Sequence, residues 1–543
     1  MRRWTVIGIF VAVGALYAAG LSNHWVPKRD SALYLSLGRS LAEGRGMEFN
    51  GQQTWGIPPL VPLVIAGGRL LVGNEPWLPN LAMTLFAFGA VALTYLVLRE
   101  LAADLARESR DLLVFGALLV TGTSARLFID SRCILTDVPF LFWVMLGLYA
   151  FLRARRGHWG WCLIGSVAFV AATCTRILGP VFFAVVVVVM LLDFRRAGNA
   201  KRAAATLAGS ALVGAGFWFW MAVMRRWSDP EAFDYIRPVS NSGIRFLAAR
   251  TQWAEFTQSV ASIPNAIANA LADQKMPWIS LLPAALVVIG MAAALGRRQH
   301  LVVWLVVVYV AFLVGVGGVD GRYLLAVMPI LVYFLLLGVL VTMDFLTGRL
   351  RRSSAAGGQG ADPPTGQPVR LALLVTVAIL AAISLPKVAR EIYWLHHPQF
   401  TEVYAHGAWR DIMEVGDYLR EHGRPGTDLV ASPEQRLVHF VSRLHTDPLA
   451  PGKERQDYLT VTPADVVDKV VRGSYRFVVV PTDVGQWSSD VLSRLDASGV
   501  FLAPPHGIGV LAVYERRPEP SAPTAGSRRV RRPAAPIPKL KSL

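Results

Sequence analysis

Three cysteines in 543 residues, Cys133, Cys162 and Cys174, are too few for a disulfide framework. Charge is scarce too: Asp, Glu, Lys and Arg together make 17% of the chain, while 54% is hydrophobic. A soluble fold of this length cannot bury that much apolar material, which excludes that class. Acidic residues number 37 against 54 basic ones, giving a net charge of +17. The arginines stand in small clusters between apolar runs, so membrane topology accounts for them and nucleic-acid binding does not. There is no GxxxxGK[ST] phosphate loop, no DxD in the polar loops to hold a metal-bound nucleotide sugar, and no spaced His/Cys ligand set. The pair His396-His397 is adjacent, and adjacent side chains point apart on a helix, so no metal site is read there.

What the chain does have is long apolar runs, at about 4–22, 79–98, 112–129, 135–152, 160–177, 179–193, 203–224, 277–296, 300–317, 323–346 and 370–387. These make about eleven membrane spans by the ~20-residue criterion. The first, after Met1-Arg2-Arg3, is longer than a signal-peptide core and reads as an uncleaved span. Gly179-Pro180 leaves open whether 160–193 is one kinked helix or two. The connections 99–110, 153–158, 195–202, 297–300 and 349–370 each carry at least two Arg or Lys, which places them and the N-terminus in the cytoplasm. An odd number of spans then puts the C-terminal region outside.

Domain organisation follows. Residues 1–393 read as the membrane domain, with a first external loop at 23–78 and a cytoplasmic low-complexity linker within 347–369. The loop Trp227 to Pro277 is expected to form short interfacial helices, and Trp4, Trp25, Trp77 and Trp253 suit an interfacial belt. Residues 394–516 change to a water-soluble α/β pattern. Helical stretches Gly407–Glu421, Pro463–Val471 and Gly485–Ala497 alternate there with β-rich runs Asp428–Ala431, Tyr475–Pro481 and Gly509–Tyr514. The Pro- and Arg-rich tail 517–543 reads as disordered, its basic residues solvated or touching anionic lipid headgroups.

Ionisable groups at span ends are costly unless hydrated, paired or used. In this topology they gather at the outer face: Asp30 after the first span, Arg126, Asp130, Arg132 and Asp137 around the 3–4 turn, Arg176 after span 5, and Asp320 with Arg322 before span 10. A carboxylate there can accept a proton, and guanidinium groups can stabilise a phosphate leaving group. The polar segment Pro27 to Leu63 holds the lone Asp30, with Tyr34 one helical turn later. Ser31 to Leu41 has helical spacing suited to lying in the membrane interface. Gly44, Gly46 and Gly51 break that helix, and Pro58-Pro59 turns the chain back to the bilayer.

Asp30, Tyr34, the two glycines Gly44 and Gly46, and Pro58-Pro59-Leu60 resemble the first external loop of the GT-C glycosyltransferases. The most similar pattern is the branch of protein O-mannosyltransferases, lipid A aminoarabinose transferases and lipopolysaccharide galacturonic-acid transferases. The resemblance extends more loosely over about the first 400 residues. It implies a polytopic α-helical GT-C fold. It also implies transfer of a sugar from a polyprenyl-phosphate donor to a lipid, glycan or protein acceptor at the outer face of the cytoplasmic membrane, with inversion and with neither metal nor cofactor. On that resemblance Asp30 is the general base and Asp137, in Thr136-Asp137-Val138-Pro139, orients the acceptor or a neighbouring arginine. Arg132, Arg176 and Arg322 with Tyr323 serve the donor phosphate.

Simpler structural roles stand beside each of these: helix capping for Asp30, a cap or a pair with Arg132 for Asp137, snorkelling for Arg176, and interfacial anchoring for Arg322 and Tyr323. Ile57 departs from the aminoarabinose transferases, which carry lysine just before the PPL, and this counts against that reaction. Two other readings remain: a carrier of lipid-linked sugars, and a non-catalytic scaffold on the same fold.

Overall fold

The structure, a computed structural model, describes residues 3–23, 26, 28–73, 77–228, 253–272, 280–315, 319–355, 367–397, 408–449, 461–502 and 505–518. Trp25, residues 356–366 of the expected linker and the tail from 519 lie outside them. The chain divides into two compact units, Met1–Arg410 and Asp411–Leu543.

The first unit is helical. In order it comprises α1 (Arg3–Ala19), α2 (Arg29–Ala42), a two-residue hairpin β1–β2 (Glu48–Phe49, Gln52–Gln53), α3 (Leu60–Val72), α4 (Trp77–Leu101), α5 (Arg107–Gly122) and α6 (Ala125–Arg132). Then follow α7 (Asp137–Arg156), α8 (Gly160–Thr175), α9 (Gly179–Arg196), α10 (Ala200–Trp227), α11 (Trp253–Ala272), α12 (Leu281–Gly296), α13 (His300–Gly315), α14 (Gly321–Leu324), α15 (Met328–Ala355) and α16 (Gln367–His396). The apolar runs of the sequence are helical as far as they are described; 160–193 is two helices, separated at Arg176–Leu178, and 112–129 and 323–346 are each divided between two, α5 with α6 and α14 with α15. Among the described residues, six helices are long and apolar enough to cross a membrane, and shorter apolar helices of 10–17 residues accompany them.

Within apolar helices Thr84, Thr94 and Thr173 bond backward to the carbonyls of Asn80, Ala90 and Phe169, one turn earlier, which satisfies these three hydroxyls without water. The span that includes α15 is the central one: 89% of its apolar window is buried, against 22% for α10 and for α16. It meets α12 at facing glycines. A Cβ on Gly290 would fall 1.8 Å from the Phe334 carbonyl oxygen and one on Gly338 2.0 Å from that of Leu286, so the two backbones touch where only glycine fits.

Three expectations change. The polar side of the Ser31–Leu41 helix is not a wet face. Ser31, Ser36 and Ser40 are buried along with Leu33, Tyr34 and Leu37, because α3 packs against α2 where Gly38 admits Ile65. The apolar stretch after Pro59 is a helix of its own, α3, and not merely the end of a loop. The segment Trp227 to Pro277, as far as it is described, holds one 20-residue helix, α11, whose Ala266, Ile267, Ala270 and Leu271 enter the main core.

The second unit comprises α17 (Ala408–His422), β3 (Leu429–Ser432), α18 (Gln435–Ser442), β4 (His445–Pro448), α19 (Pro463–Arg472), β5 (Phe477–Pro481), α20 (Gly485–Ser498), β6 (His506–Ile508) and β7 (Leu511–Glu515). Its sheet runs β4-β3-β5-β7-β6, parallel through the first three strands and antiparallel thereafter. Buried Val478, Val480 and Tyr514 pack on Val466, Val470, Val491 and Leu495 from the helices. Thr462 caps α19 ahead of Pro463. The expected helices and strands are present. α18, β4 and β6 are additional.

Candidate active site

Helix alternation brings the charged ends together. α7 begins with Asp137, and Arg176 directly follows the end of its antiparallel neighbour α8, so both side chains emerge at one end of the pair. Arg176 donates to Asp137 Oδ1 and, at 3.4 Å, to Thr136 Oγ1. Asp137 Oδ2 accepts from Arg322 Nε at 2.9 Å, and Arg322 Nη2 reaches on to Asp30 Oδ2 at 3.0 Å. The result is a four-membered chain, Asp30–Arg322–Asp137–Arg176, drawn from α2, α14, α7 and the end of α8.

Helix dipoles favour three of its members, since both aspartates lie in first turns and Arg176 follows a helix C-terminus. Arg322 lies in the single turn of the four-residue α14, which carries little dipole, and is compensated by two carboxylates. Asp320 caps α14 through the Arg322 amide, and the Tyr309 hydroxyl donates to the Tyr323 carbonyl, which fixes the turn. The Arg176 guanidinium lies 5.3 Å from the centre of the Tyr323 ring.

The loop that carries Asp30 is held from several sides. The Ser31 hydroxyl donates to the Cys133 carbonyl and ties α2 to the α6–α7 turn. That turn contains Ile134 at φ +50°, a β-branched residue in the left-handed region. Such strain costs of order 1–3 kcal/mol and persists only where surroundings enforce it, as the full burial of Ile134 does. Gly44 and Gly46 adopt φ +74° and +78°, which lets the chain leave α2 into the β1–β2 hairpin. Pro59 stands at the N-cap of α3, directly after Pro58, and Tyr34 is buried in α2.

The simpler roles are corrected at three residues, Asp30, Asp137 and Arg176. Lys28, not Asp30, occupies the N-cap of α2, and Thr136, not Asp137, that of α7. Asp137 pairs with Arg176 and Arg322 rather than with Arg132. Arg176 is largely buried on Asp137 and does not snorkel.

Arg132 is not brought to the cluster. On the eight-residue α6, Arg126 and Asp130 are i and i+4 and pair at 2.9 Å, whereas Arg132 lies about 200° round from Asp130. Its side chain is buried, donates to the Tyr17 carbonyl at 3.1 Å and covers the Phe128 ring; among the described residues its Nε and Nη1 find no hydrogen-bond partner. Sequence reasoning missed Asn269 of α11, whose Oδ1 accepts from Arg126 at 3.4 Å. No sequence signal marks it. Among the described residues no group of three or more His, Cys, Asp or Glu is placed to hold a metal ion.

A partly buried set of alternating carboxylates and guanidinium groups thus lies at one end of a bundle of apolar helices, several of them long enough to cross a membrane. The fold is that of the GT-C membrane glycosyltransferases. ArnT from Cupriavidus metallidurans, in a crystal structure bound to undecaprenyl phosphate, matches 96% of this chain and 100% of its own, with TM-score 0.58 and 16% identity. The oligosaccharyltransferase AglB from Archaeoglobus fulgidus, in complex with an inhibitory peptide and a dolichol-phosphate, matches 94% of this chain and 74% of its own, with TM-score 0.52 and 11% identity. Residues 55–199 match the family model of the dolichyl-phosphate-mannose-protein mannosyltransferases, a segment that contains Asp137 and Arg176. No curated protein matches the chain.

Proposed function

We propose that this protein is an inverting membrane glycosyltransferase. It takes one sugar from a polyprenyl-phosphate donor and passes it to a lipid, glycan or protein acceptor at the outer face of the cytoplasmic membrane. The observation that carries the reading is the Asp30–Arg322–Asp137–Arg176 chain, which sets a water-accessible carboxylate beside guanidinium groups. The match to the mannosyltransferase model and the undecaprenyl phosphate held by ArnT support the donor class.

In this reading the acceptor hydroxyl attacks the anomeric carbon from the face opposite the phosphate and gives its proton to Asp30. The anomeric C–O bond to phosphate breaks, and its electron pair stays on the phosphate oxygen. Arg322 meets that developing charge with charge-assisted hydrogen bonds. Asp137 and Arg176 hold Arg322 in place from behind.

Sugar release from a panel of radiolabelled polyprenyl-phosphate donors tests this, with purified wild type and Asp30→Asn side by side, with and without EDTA. Release of one sugar by wild type alone is expected. Equal turnover by Asp30→Asn removes the base assignment, and no release from any donor with envelope acceptors added removes the enzyme reading.

A further inference from the structure

One guanidinium serves two carboxylates, and the two are not held alike. Arg322, Arg176, Asp30 and Asp137 are two cations and two anions, so their charges cancel. An incoming phosphate finds no surplus positive charge among them, so its own charge is compensated only as far as a carboxylate gives up its share of Arg322. Asp137 has a side chain 3% exposed and uses both oxygens, Oδ1 for Arg176 and Oδ2 for Arg322. Pulling Arg322 off it strips a buried charge, which is costly. Asp30 is 23% exposed, meets Arg322 through one oxygen, and sits in a helix first turn that itself favours a carboxylate. Water can solvate it when the guanidinium leaves. Displacement therefore runs one way.

We infer, on the basis of the polyprenyl-phosphate reading above, that the donor phosphate and Asp30 compete for Nη2 of Arg322, so that donor binding unmasks the base. Asp30 Oδ2, the atom bonded to Arg322 at 3.0 Å, is then the oxygen released to take the acceptor's proton. Arg322 pivots about its Nε bond to Asp137, which stays fixed by Arg176. One residue thus couples phosphate binding to proton abstraction, and the base is engaged by its own guanidinium until the sugar to be transferred is in place.

The inference reverses the usual sign for a catalytic-residue variant. Asp30→Asn, inactive in transfer, binds the phosphate more tightly than wild type because it has no charge with which to compete. The test measures binding of a short-chain polyprenyl monophosphate, and of the neutral polyprenol of the same length, to full-length protein in detergent. Wild type, Asp30→Asn, Asp30→Ser and Asp130→Asn are compared. Asp130 bonds Arg126 at 2.9 Å, so its variant removes a nearby carboxylate charge while leaving the Arg322–Asp30 bond in place.

The expected result is an affinity for the monophosphate about tenfold higher in both Asp30 variants, within about twofold of wild type in Asp130→Asn, and unchanged for polyprenol in all four proteins. Unchanged or weaker monophosphate binding in the Asp30 variants overturns the competition and leaves the donor reading standing. An equal gain in Asp130→Asn also overturns it, since charge alone then suffices. A wild type that binds monophosphate no better than polyprenol overturns the donor reading itself, and the competition with it.

Discussion

Arg322 bonds two aspartates that both precede it in the sequence and lie in different helices: Asp30, 292 residues before it, at 3.0 Å, and Asp137, 185 residues before it, at 2.9 Å. The planar fork makes this possible, because Nε and Nη2 diverge in fixed directions. Lysine cannot reproduce it. Arg322→Lys is expected to lower donor kcat/KM by about 10²–10³-fold, with the donor KM raised more than the acceptor KM. Steady-state kinetics with each substrate varied in turn check this. An unchanged donor dependence takes Arg322 out of the phosphate site.

Asp137 is the most deeply buried member of the chain, and both its partners depend on it. Asp137→Asn leaves two guanidinium groups facing a neutral amide in a dry setting. The expected loss is about 3–5 kcal/mol of stability, read as a lowered midpoint of thermal unfolding in detergent. Adding Arg176→Gln to it removes one of the stranded charges, so the double variant is expected to lose less than the two single losses summed. Strict additivity would falsify the pairing.

Gly321 sets how close α14 comes to α11. A Cβ there would fall 2.0 Å from Asn269 Oδ1, the atom that accepts from Arg126. Gly321→Ala therefore pushes on the turn that aims Arg322, and a cost of about 1–3 kcal/mol is expected together with a loss of transfer. Adding Asn269→Ala vacates the space. If the pair recovers activity that Gly321→Ala lost, the contact is the cause; if it recovers nothing, the effect of the alanine lies elsewhere.

The candidate residues were legible in the sequence because Asp30, Asp137, Arg176 and Arg322 are charges at the ends of apolar runs, where each needs a reason to be. The pairing among them was not. Arg322 meets Asp30 only after the intervening helices have packed, and no local pattern encodes that.

Arg132 illustrates a different limit. The run 112–129 reads as one span, yet the helix stops at Gly122 and Ser124 caps a new one at Ala125. That restart fixes which way each side chain of α6 points, so Arg126 faces Asp130 and Asn269 while Arg132 turns to Tyr17. In the second unit the longer amphipathic helices and the Val-rich strand β5 announce themselves. β4, His445–Pro448, does not, since it is four residues long with Asp and Pro at its end, and its neighbour β3 defines it.

That edge strand carries the last prediction. Asp447 accepts a hydrogen bond from the Tyr475 hydroxyl at 2.9 Å and lies 3.3 Å from His445 Nε2. These contacts, His445 first, hold its carboxyl below the usual carboxylate range, against the opposing effect of burial. Burial and the facing Asp447 push the Tyr475 phenol up, so it stays a donor across the accessible range. A carboxyl depressed in the folded state adds stability that is fully present above its unfolded value, about 3.9, and is lost as pH falls through the lower folded value. Tyr475→Phe removes one of the depressing bonds. The folded value then moves back toward the ordinary one, so the stabilising contribution shrinks and disappears at higher pH. Hydrogen-exchange protection of the β3 and β4 amides in the intact protein, followed from about pH 5 to pH 2 and corrected for intrinsic rates, is expected to fall earlier on acidification in Tyr475→Phe than in wild type. Coincident profiles would show that the Tyr475 bond does not hold Asp447 ionised.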